Sequence, residues 1–412
     1  MTNITKKVAK IIEDVKNFGD QAVIKYASLY DDVSITKSED LVEKVHINKK
    51  LDKHFVSAID LAIKNVKKFH NEEYKKIKKL WTTKYNGIIT GQKFVPLESA
   101  GIYIPGGKYG YNYISTLVMT VIPAQVAGVK NVVVVTPPRN VTNYFLYTAY
   151  KLGIKEVYKI GGVQAIAALA FGTQTVPKVE MVVGPGNIWV TEAKRQLVGV
   201  VGIDLLAGPS EVVVVGDEES NSEEIAYELL AQAEHDKNAK SYFIGLSKNV
   251  IYKVKKFITT YALEFLPQIK IIYQPNIDKA CELINNIAPE HLTLLTKKHQ
   301  IFLKKVNNAG AIFYGDHPSA VFGDYIAGPS HVLPTGQTAK FSSGLSVVSF
   351  LKKISIVKLS QKAVKSLSPH AITLAKVEGM HWHSERLKKL VITGETNAKD
   401  SKGKPSNKRN KC

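Results

Sequence analysis

Cysteine is nearly absent from this chain. Only Cys281 and Cys412 occur among 412 residues, too few for a disulfide framework or a cysteine-ligated zinc site. Any bound metal therefore falls to histidine, carboxylate or amide groups. Long apolar runs are missing too. The most apolar stretches, Asn131 to Thr136 and Glu211 to Val215, are of strand length and far short of the roughly 20 residues that a membrane span needs. The opening, MTNITKKVAKIIEDVKNFGDQAV, interrupts its apolar positions with charges, so it reads as an amphipathic helix and not as a signal peptide. These absences point to the cytoplasm, a reducing compartment, with no membrane partner.

Arginine is scarce as well, occurring only as Arg139, Arg195, Arg386 and Arg409. The 56 Lys+Arg against 36 Asp+Glu leave a net charge of +20, which raises the question of nucleic acid. Specific readers of bases and phosphates lean on bidentate arginine, whereas the lysines here are scattered through Ile- and Asn-rich text. We read a solvated lysine-rich surface and no nucleic-acid partner. The basic run Lys399 to Cys412 lacks apolar periodicity, and residues 393–412 are expected to form a disordered tail. A GxGxxG dinucleotide fingerprint is also absent.

What is present is an apolar content of 45% in a chain too long for one core, so two or more domains are expected. From Asn131 onward, β-branched runs alternate with helical patterns. Val132 to Val135, Val157 to Ile160 and Met181 to Val183 form one series. Glu211 to Val215, Tyr242 to Leu246 and Ile269 to Ile272 form a second, with helices such as Ser222 to Ala233 and Ile277 to Asn286 between them. Near-continuous apolar strands separated by helices indicate buried parallel sheets with crossover helices. A further helical segment spans Ala371 to Leu390.

Ligands of open α/β sheets sit outside the carboxyl ends of the strands, where glycine lets the backbone approach. Glycine turns recur at Gly106-Gly107, Gly161-Gly162, Gly184-Pro185-Gly186 and Gly208-Pro209. One such turn is ordinary geometry, but four in succession mark a binding edge. Gln232 and His235 lie three residues apart inside Ile225 to Asp236, a spacing that on a helix places them on one face. Taken alone, such a pair is usually a surface accident. Glu290-His291 after Ala288-Pro289, Asp324 after Gly323, His331 after Ser330, and Glu378 with His381 and His383 add candidates beside Gly or Pro.

Taken together these segments resemble the L-histidinol dehydrogenase family. The motifs are GIYIPGG (101–107), GGVQAIAALAFGT (161–173), VGPGNIWVTEAKR (183–195), IDLLAGPSE (203–211) and LLAQAEHD (229–236), followed by APEHL (288–292), NAGAIF (308–313), GDYIAGPSHVLPT (323–335) and EGMHWH (378–383). They cover roughly residues 1 to 390 in order. Pro329-Ser330 departs from the pair many relatives carry before the histidine, and the tail lies outside the pattern.

The resemblance implies the last step of histidine biosynthesis, oxidation of L-histidinol through L-histidinaldehyde to L-histidine with two NAD and one zinc per subunit. Carried over by position, it implies Gln232, His235, Asp324 and His383 as zinc ligands that also meet substrate, with His381 in a variable slot. Glu290 and His291 become the acid/base pair, and His291 also touches substrate. Ser210, His331 and Glu378 become substrate contacts, and Tyr103, Gln164 and Asn187 cofactor contacts. It implies an α/β fold of two incomplete Rossmann-like domains, one inserted in the other, with small helical terminal elements. On that plan residues 1–102 and 210–345 form the domain with the zinc and acid/base residues, and 103–209 the inserted NAD-side domain. Residues 346–392 reach the partner in a domain-exchanged homodimer with shared active sites.

The residue types suit that chemistry. A zinc held by oxygen and nitrogen retains positive charge and admits substrate donors, here the amine and imidazole of histidinol. His291 suits removal of the hydroxyl proton. Cys281 falls in a helix and Cys412 in the tail, so aldehyde oxidation lacks a placed thiol, and Glu290 is the group to activate water. The competing readings are a catalytically silent or repurposed paralogue acting as a binding protein, and a relative acting on another amino alcohol.

Overall fold

The computed structural model describes residues 3–31, 35–47, 51–106, 113–235 and 237–400, with 392–400 described by backbone alone. The chain divides into two compact units, Met1–Lys76 with Pro96–Leu351, and Ile77–Val95 with Lys352–Cys412.

The first unit opens with α1 (Asn3–Phe18), α2 (Asp20–Tyr30), the short strand β1 (Val42–Lys44) and α3 (Lys53–Lys75), after which the hairpin β2 (Leu80–Tyr85) and β3 (Ile88–Pro96) departs into the second unit. It resumes with β4 (Ser99–Tyr103), α4 (Ile114–Ala127), β5 (Asn131–Thr136), α5 (Asn143–Lys151), β6 (Glu156–Lys159), α6 (Gly162–Phe171), β7 (Met181–Val183), α7 (Ile188–Leu197) and β8 (Gly202–Ile203). These strands form a sheet in the order β1-β6-β5-β4-β7-β8, parallel apart from β1. Leaving out that antiparallel edge, the order is third, second, first, fourth, fifth, which is a Rossmann sheet short of its last strand.

The same order then repeats. β9 (Glu211–Gly216), α8 (Ser222–Ala233), β10 (Lys240–Gly245), α9 (Lys248–Tyr261), β11 (Ile269–Tyr273), α10 (Ile277–Ile287), β12 (His291–Leu295), α11 (His299–Lys305), β13 (Ala311–Tyr314) and α12 (Ala320–Tyr325) follow. Their sheet runs β11-β10-β9-β12-β13, parallel throughout. β9 is buried at every position, as expected of a central strand of branched valines covered on both faces.

The division between the sheets differs from the sequence reading, which starts the inserted domain at Tyr103. Strand β4 begins at Ser99 and lies between β5 and β7, in the middle of the first sheet. The apolar stripe of α1 (Val8, Ile11, Val15) and residues Ala22 and Val23 of α2 share a core with Val133, Val135, Ile166 and Val190. The N-terminal helices therefore cover the first sheet, because its face would otherwise leave that apolar surface in water.

The second unit holds a small sheet, β14-β3-β2, with β14 (Leu351–Leu359), followed by α13 (Gln361–Val377) and α14 (His381–Asp400). Asn86 and Gly87 turn the β2–β3 hairpin with φ of 48° and 78°, the Asn-Gly pair that a two-residue hairpin favours. The single helical segment expected over Ala371 to Leu390 is two helices. Gly379, at φ 71°, stops α13, its N–H bonding Lys376 O and that of Met380 bonding Ala375 O. The disorder expected from residue 393 is corrected as far as Asp400, since helical backbone continues to that point. Extending an existing helix costs far less than nucleating one. Residues 401–412 lie outside the described residues. Among the described residues no helix is long and apolar enough to cross a membrane.

Candidate active site

The second sheet gathers its titratable groups at the amino ends of β9 and β12. Helix α10 is capped by buried Ala288 in the left-handed conformation, and Pro289 follows, so the chain enters β12 abruptly at Glu290 and His291. The pairing of His291 with Val212 sets Glu290 beside Glu211 on the neighbouring strand. Glu290 Oε2 accepts from the Glu211 N–H at 3.1 Å, and the Ser210 side chain bonds the same carboxyl. Burial pushes Glu290 up to about 8, aided by repulsion from Asp324 and Glu211 and opposed by those two hydrogen bonds.

His291 is buried beside it. Its Nδ1 lies 3.9 Å from Glu290 Oε2 and its Nε2 3.8 Å from Asp324 Oδ1, both too long for hydrogen bonds. Neither ring nitrogen has a hydrogen-bond partner, although the Glu211 backbone lies close. Burial holds the imidazole down at about 3, with His235 and His331 adding to the effect. The imidazole is therefore neutral, with one ring nitrogen carrying an unused lone pair in the buried site.

Helix α12 carries Asp324, whose carboxyl burial raises to about 7, with Glu228 contributing. His331 joins it through its ring: Nδ1–H donates to Asp324 O at 2.7 Å, which leaves Nε2 to accept from Thr116 Oγ1 at 3.0 Å. Burial lowers this imidazole to about 4. Expected as a substrate contact, His331 thus has both nitrogens engaged by protein, and Thr116 of α4 is a partner that no motif signalled.

Helix α8 ends at Ala233, the end expected for the run from Ser222. Gln232 lies in the last turn of α8, and His235 in the turn after it, where His235 N–H bonds Gln232 O at 3.3 Å. The tightened i to i+3 bond ends the helix, and Asp236 lies outside the described residues. Gln232 is buried with its Nε2 unpartnered, while His235 keeps solvent access in surroundings dense enough for desolvation to lower its pKa.

An amide, an imidazole and a carboxylate suit a zinc ion without thiolate. The orphaned Gln232 amide, the raised Asp324 carboxyl and the unprotonated imidazoles are donor types that suit a cation. Among the described residues no three His, Cys, Asp or Glu side chains gather closely enough to hold an ion alone. Glu378, His381 and His383 lie at the α13–α14 turn of the second unit, all exposed.

On the first sheet the expected cofactor residues stand at the carboxyl ends of the strands or just beyond. Tyr103 ends β4, buried, with its hydroxyl accepting from the Gly162 N–H at 3.2 Å. Gln164, also buried, lies in the first turn of α6 with its Nε2 3.5 Å from Asp31 Oδ2. Asn187 is the exposed N-cap of α7, its Oδ1 accepting from Trp189 N and Val190 N at 3.0 and 3.2 Å. Between β7 and Asn187, Gly184 sits at φ 115°, where a Cβ would lie 2.1 Å from Tyr103 O. A buried ion pair clamps this turn. Lys194 Nζ donates to Gly184 O at 2.5 Å and to Asp204 Oδ1 at 2.6 Å, while Asp204 Oδ2 accepts from Gly184 N at 2.7 Å. Sequence reasoning missed this pair, because Lys194 looks like any basic residue in the last turn of a helix.

Comparison with known proteins agrees along most of the chain. A family model for histidinol dehydrogenase matches residues 1–389. The chain is 41% identical over 400 residues to a histidinol dehydrogenase of Bacillus cereus, covering 93% of this chain and 92% of the relative. It is 40% identical over 411 residues to one from Sulfurimonas denitrificans, covering 95% and 94%. The crystal structure of histidinol dehydrogenase from Elizabethkingia anophelis superposes with a TM-score of 0.86 at 32% identity, covering 95% of this chain and 93% of that one.

Proposed function

The chain belongs to the histidinol dehydrogenase family, and from that premise we propose how its own residues carry the family's reaction, the NAD- and zinc-dependent oxidation of L-histidinol to L-histidine. The observation that carries the assignment is Glu290 beside His291, buried together at the edge of Asp324, with the imidazole neutral and unpartnered. A silent binding protein has no use for two costly buried groups held so.

We assign the metal to Gln232, His235 and Asp324 with His383, and the substrate to those residues with Ser210, His291, His331 and Glu378. When bound, zinc supplies a template for the amine and imidazole of histidinol, and NAD supplies the hydride acceptor. His291 takes the hydroxyl proton as the alcohol is oxidised to the aldehyde. Cys281 is buried in α10 with its thiol raised by burial, so it offers no thiolate, and water adds to the aldehyde directly. Glu290 takes the proton of that water. NAD is assigned to the carboxyl edge of the first sheet, with Asn187 at its surface and Tyr103 and Gln164 shaping the floor beneath. The enzyme works in the cytoplasm on this reading, as a chain with one buried free cysteine among its described residues.

Glu378 and His383 sit in the second unit, and we assign them to the active site of the partner in a domain-exchanged homodimer. The assay of choice is histidinol-dependent NAD reduction by metal-analysed protein. Chelation should abolish turnover and zinc should restore it, whereas a metal-free enzyme with its original rate would sink the ligand assignment. Sharing is tested by refolding His383→Ala subunits together with His291→Ala subunits. Random pairing makes about half of the dimers mixed, each with one intact site, so roughly a quarter of wild-type activity returns. No recovery from confirmed heterodimers refutes the exchange.

A further inference from the structure

Glu228 is a buried carboxylate that the roles above leave unused. It lies on α8, one turn before Gln232. Its Oε1 accepts from Thr293 Oγ1 at 2.7 Å and from the Ala320 N–H at 2.6 Å, and its Oε2 accepts from Ser319 Oγ at 2.7 Å. The donors come from two other elements of the site. Thr293 follows His291 by two residues on β12, so the two side chains leave the same face of the strand. Ser319 is the N-cap and Ala320 the first residue of α12, the six-residue helix that carries Asp324.

One carboxylate thus ties together the elements bearing Gln232, His291 and Asp324. The tie matters most for α12, because a helix of under two turns does not hold its own orientation. Three hydrogen bonds converge on this one side chain. Loss of the acceptor would strand three donors in the interior.

We infer that Glu228 is a positioning residue of the metal site, setting α12 and therefore Asp324 against α8 and β12. The inference rests on the zinc assignment proposed above. It explains why an acid stands on the buried face of α8, where burial alone favours an apolar residue.

The test measures the zinc dissociation constant of the full chain by competition with a chromogenic chelator, alongside the melting temperature of the metal-free protein. Glu228→Ala should weaken zinc binding by about 10- to 100-fold, the range for residues that orient metal ligands. Glu228→Gln keeps an oxygen for Thr293 and Ala320 and should recover most of that loss. A merely structural residue would lower the melting temperature and leave zinc affinity alone. That result in Glu228→Ala, with Asp324→Ala defective in zinc binding, overturns the inference. If Asp324→Ala also binds zinc normally, the ligand assignment itself falls, and the inference with it. Should Glu228→Ala fail to fold, Ser319→Ala decides: severalfold weaker zinc binding at an unchanged melting temperature supports the role, and unchanged affinity removes it.

Discussion

The two sheets of the first unit share one strand order, and on the proposed assignment they use opposite ends of it. In the first sheet the glycine turns and Asn187 stand at the carboxyl ends, where Rossmann-type ligands bind, and the β4–α4 segment from Pro105 to Tyr113 carries no carboxylate. In the second sheet the corresponding end is closed. Ser220 Oγ donates to Leu295 O and Thr296 Oγ1 to Asp217 Oδ2, while Asp217 N–H donates to Ser220 Oγ at 2.7 Å. Asp217, Glu218 and Glu219 precede α8, and Glu223 and Glu224 occupy its first turn. That concentration of negative charge repels a pyrophosphate from the helix terminus that would otherwise receive it. On the proposed assignment the chemistry of the second sheet sits at its amino edge, with Ser210, Glu290 and His291. Strand order alone does not say which end of a sheet works; the placement of glycine, charge and burial does.

The largest effects are expected at that amino edge. His291→Asn should depress oxidation of both histidinol and histidinaldehyde by about 10²- to 10⁴-fold. Glu290→Gln should act hardest on the aldehyde, since only that step needs activated water, and equal losses on the two substrates would remove its special role. A carboxyl raised to about 8 is protonated below that pH, so wild-type aldehyde oxidation should climb as pH passes through 8, and Glu290→Gln should flatten the climb. Stability runs the other way. With the folded pKa above the ordinary 4.5, the contribution of the proton is fully present below about pH 4.5 and is lost as pH rises through 8. Metal-free Glu290→Gln should therefore melt above wild type at pH 9 and alongside it near pH 4.5.

How far these contrasts can be read from sequence depends on the element. The central strands were legible because burial on both faces writes itself as unbroken valine runs: Val132 to Val135 falls within β5, and Met181 to Val183 is β7. β2 is exposed along its whole length and β14 nearly so, so neither has an apolar run to announce it. No local pattern links the hairpin at 77–95 to strand partners some 260 residues later. At the site, Glu290 and His291 stood out by residue type, but their placement at an amino edge follows from the β9–β12 register, which only the folded sheet defines. The run from Ser222 to Ala233 marked α8 correctly, but LLAQAEHD gives no sign that His235 falls in the turn beyond the helix, where the backbone heads toward β10.

A middle-sized effect should sharpen the account of the first sheet. Lys194→Met leaves Asp204 buried without its cation, at a cost of about 3–5 kcal/mol, and frees the Gly184 turn. The KM for NAD should rise on the order of ten- to a hundredfold, the penalty of small misplacements, with kcat changed less. Adding Asp204→Leu removes the stranded charge, so the double variant should regain melting temperature while the KM for NAD stays high. A double variant that recovers both would make the pair a stabiliser of the core with no part in shaping the NAD edge.

The smallest expected effect probes the closed end of the second sheet. Glu223→Gln with Glu224→Gln removes two carboxylates from the first turn of α8, where each stabilises the helix dipole by about 0.3–1 kcal/mol. The melting temperature should fall slightly, and the KM for NAD should not move, because the hydrogen bonds of Asp217, Ser220 and Thr296 still fill the space a dinucleotide would need. The site itself lies at the far end of the strands, beyond the reach of that first-turn field. A severalfold shift in the KM for NAD would place cofactor at this edge and break the contrast between the two sheets. An unchanged value with a measurably lower melting point would show that these acids serve the helix alone.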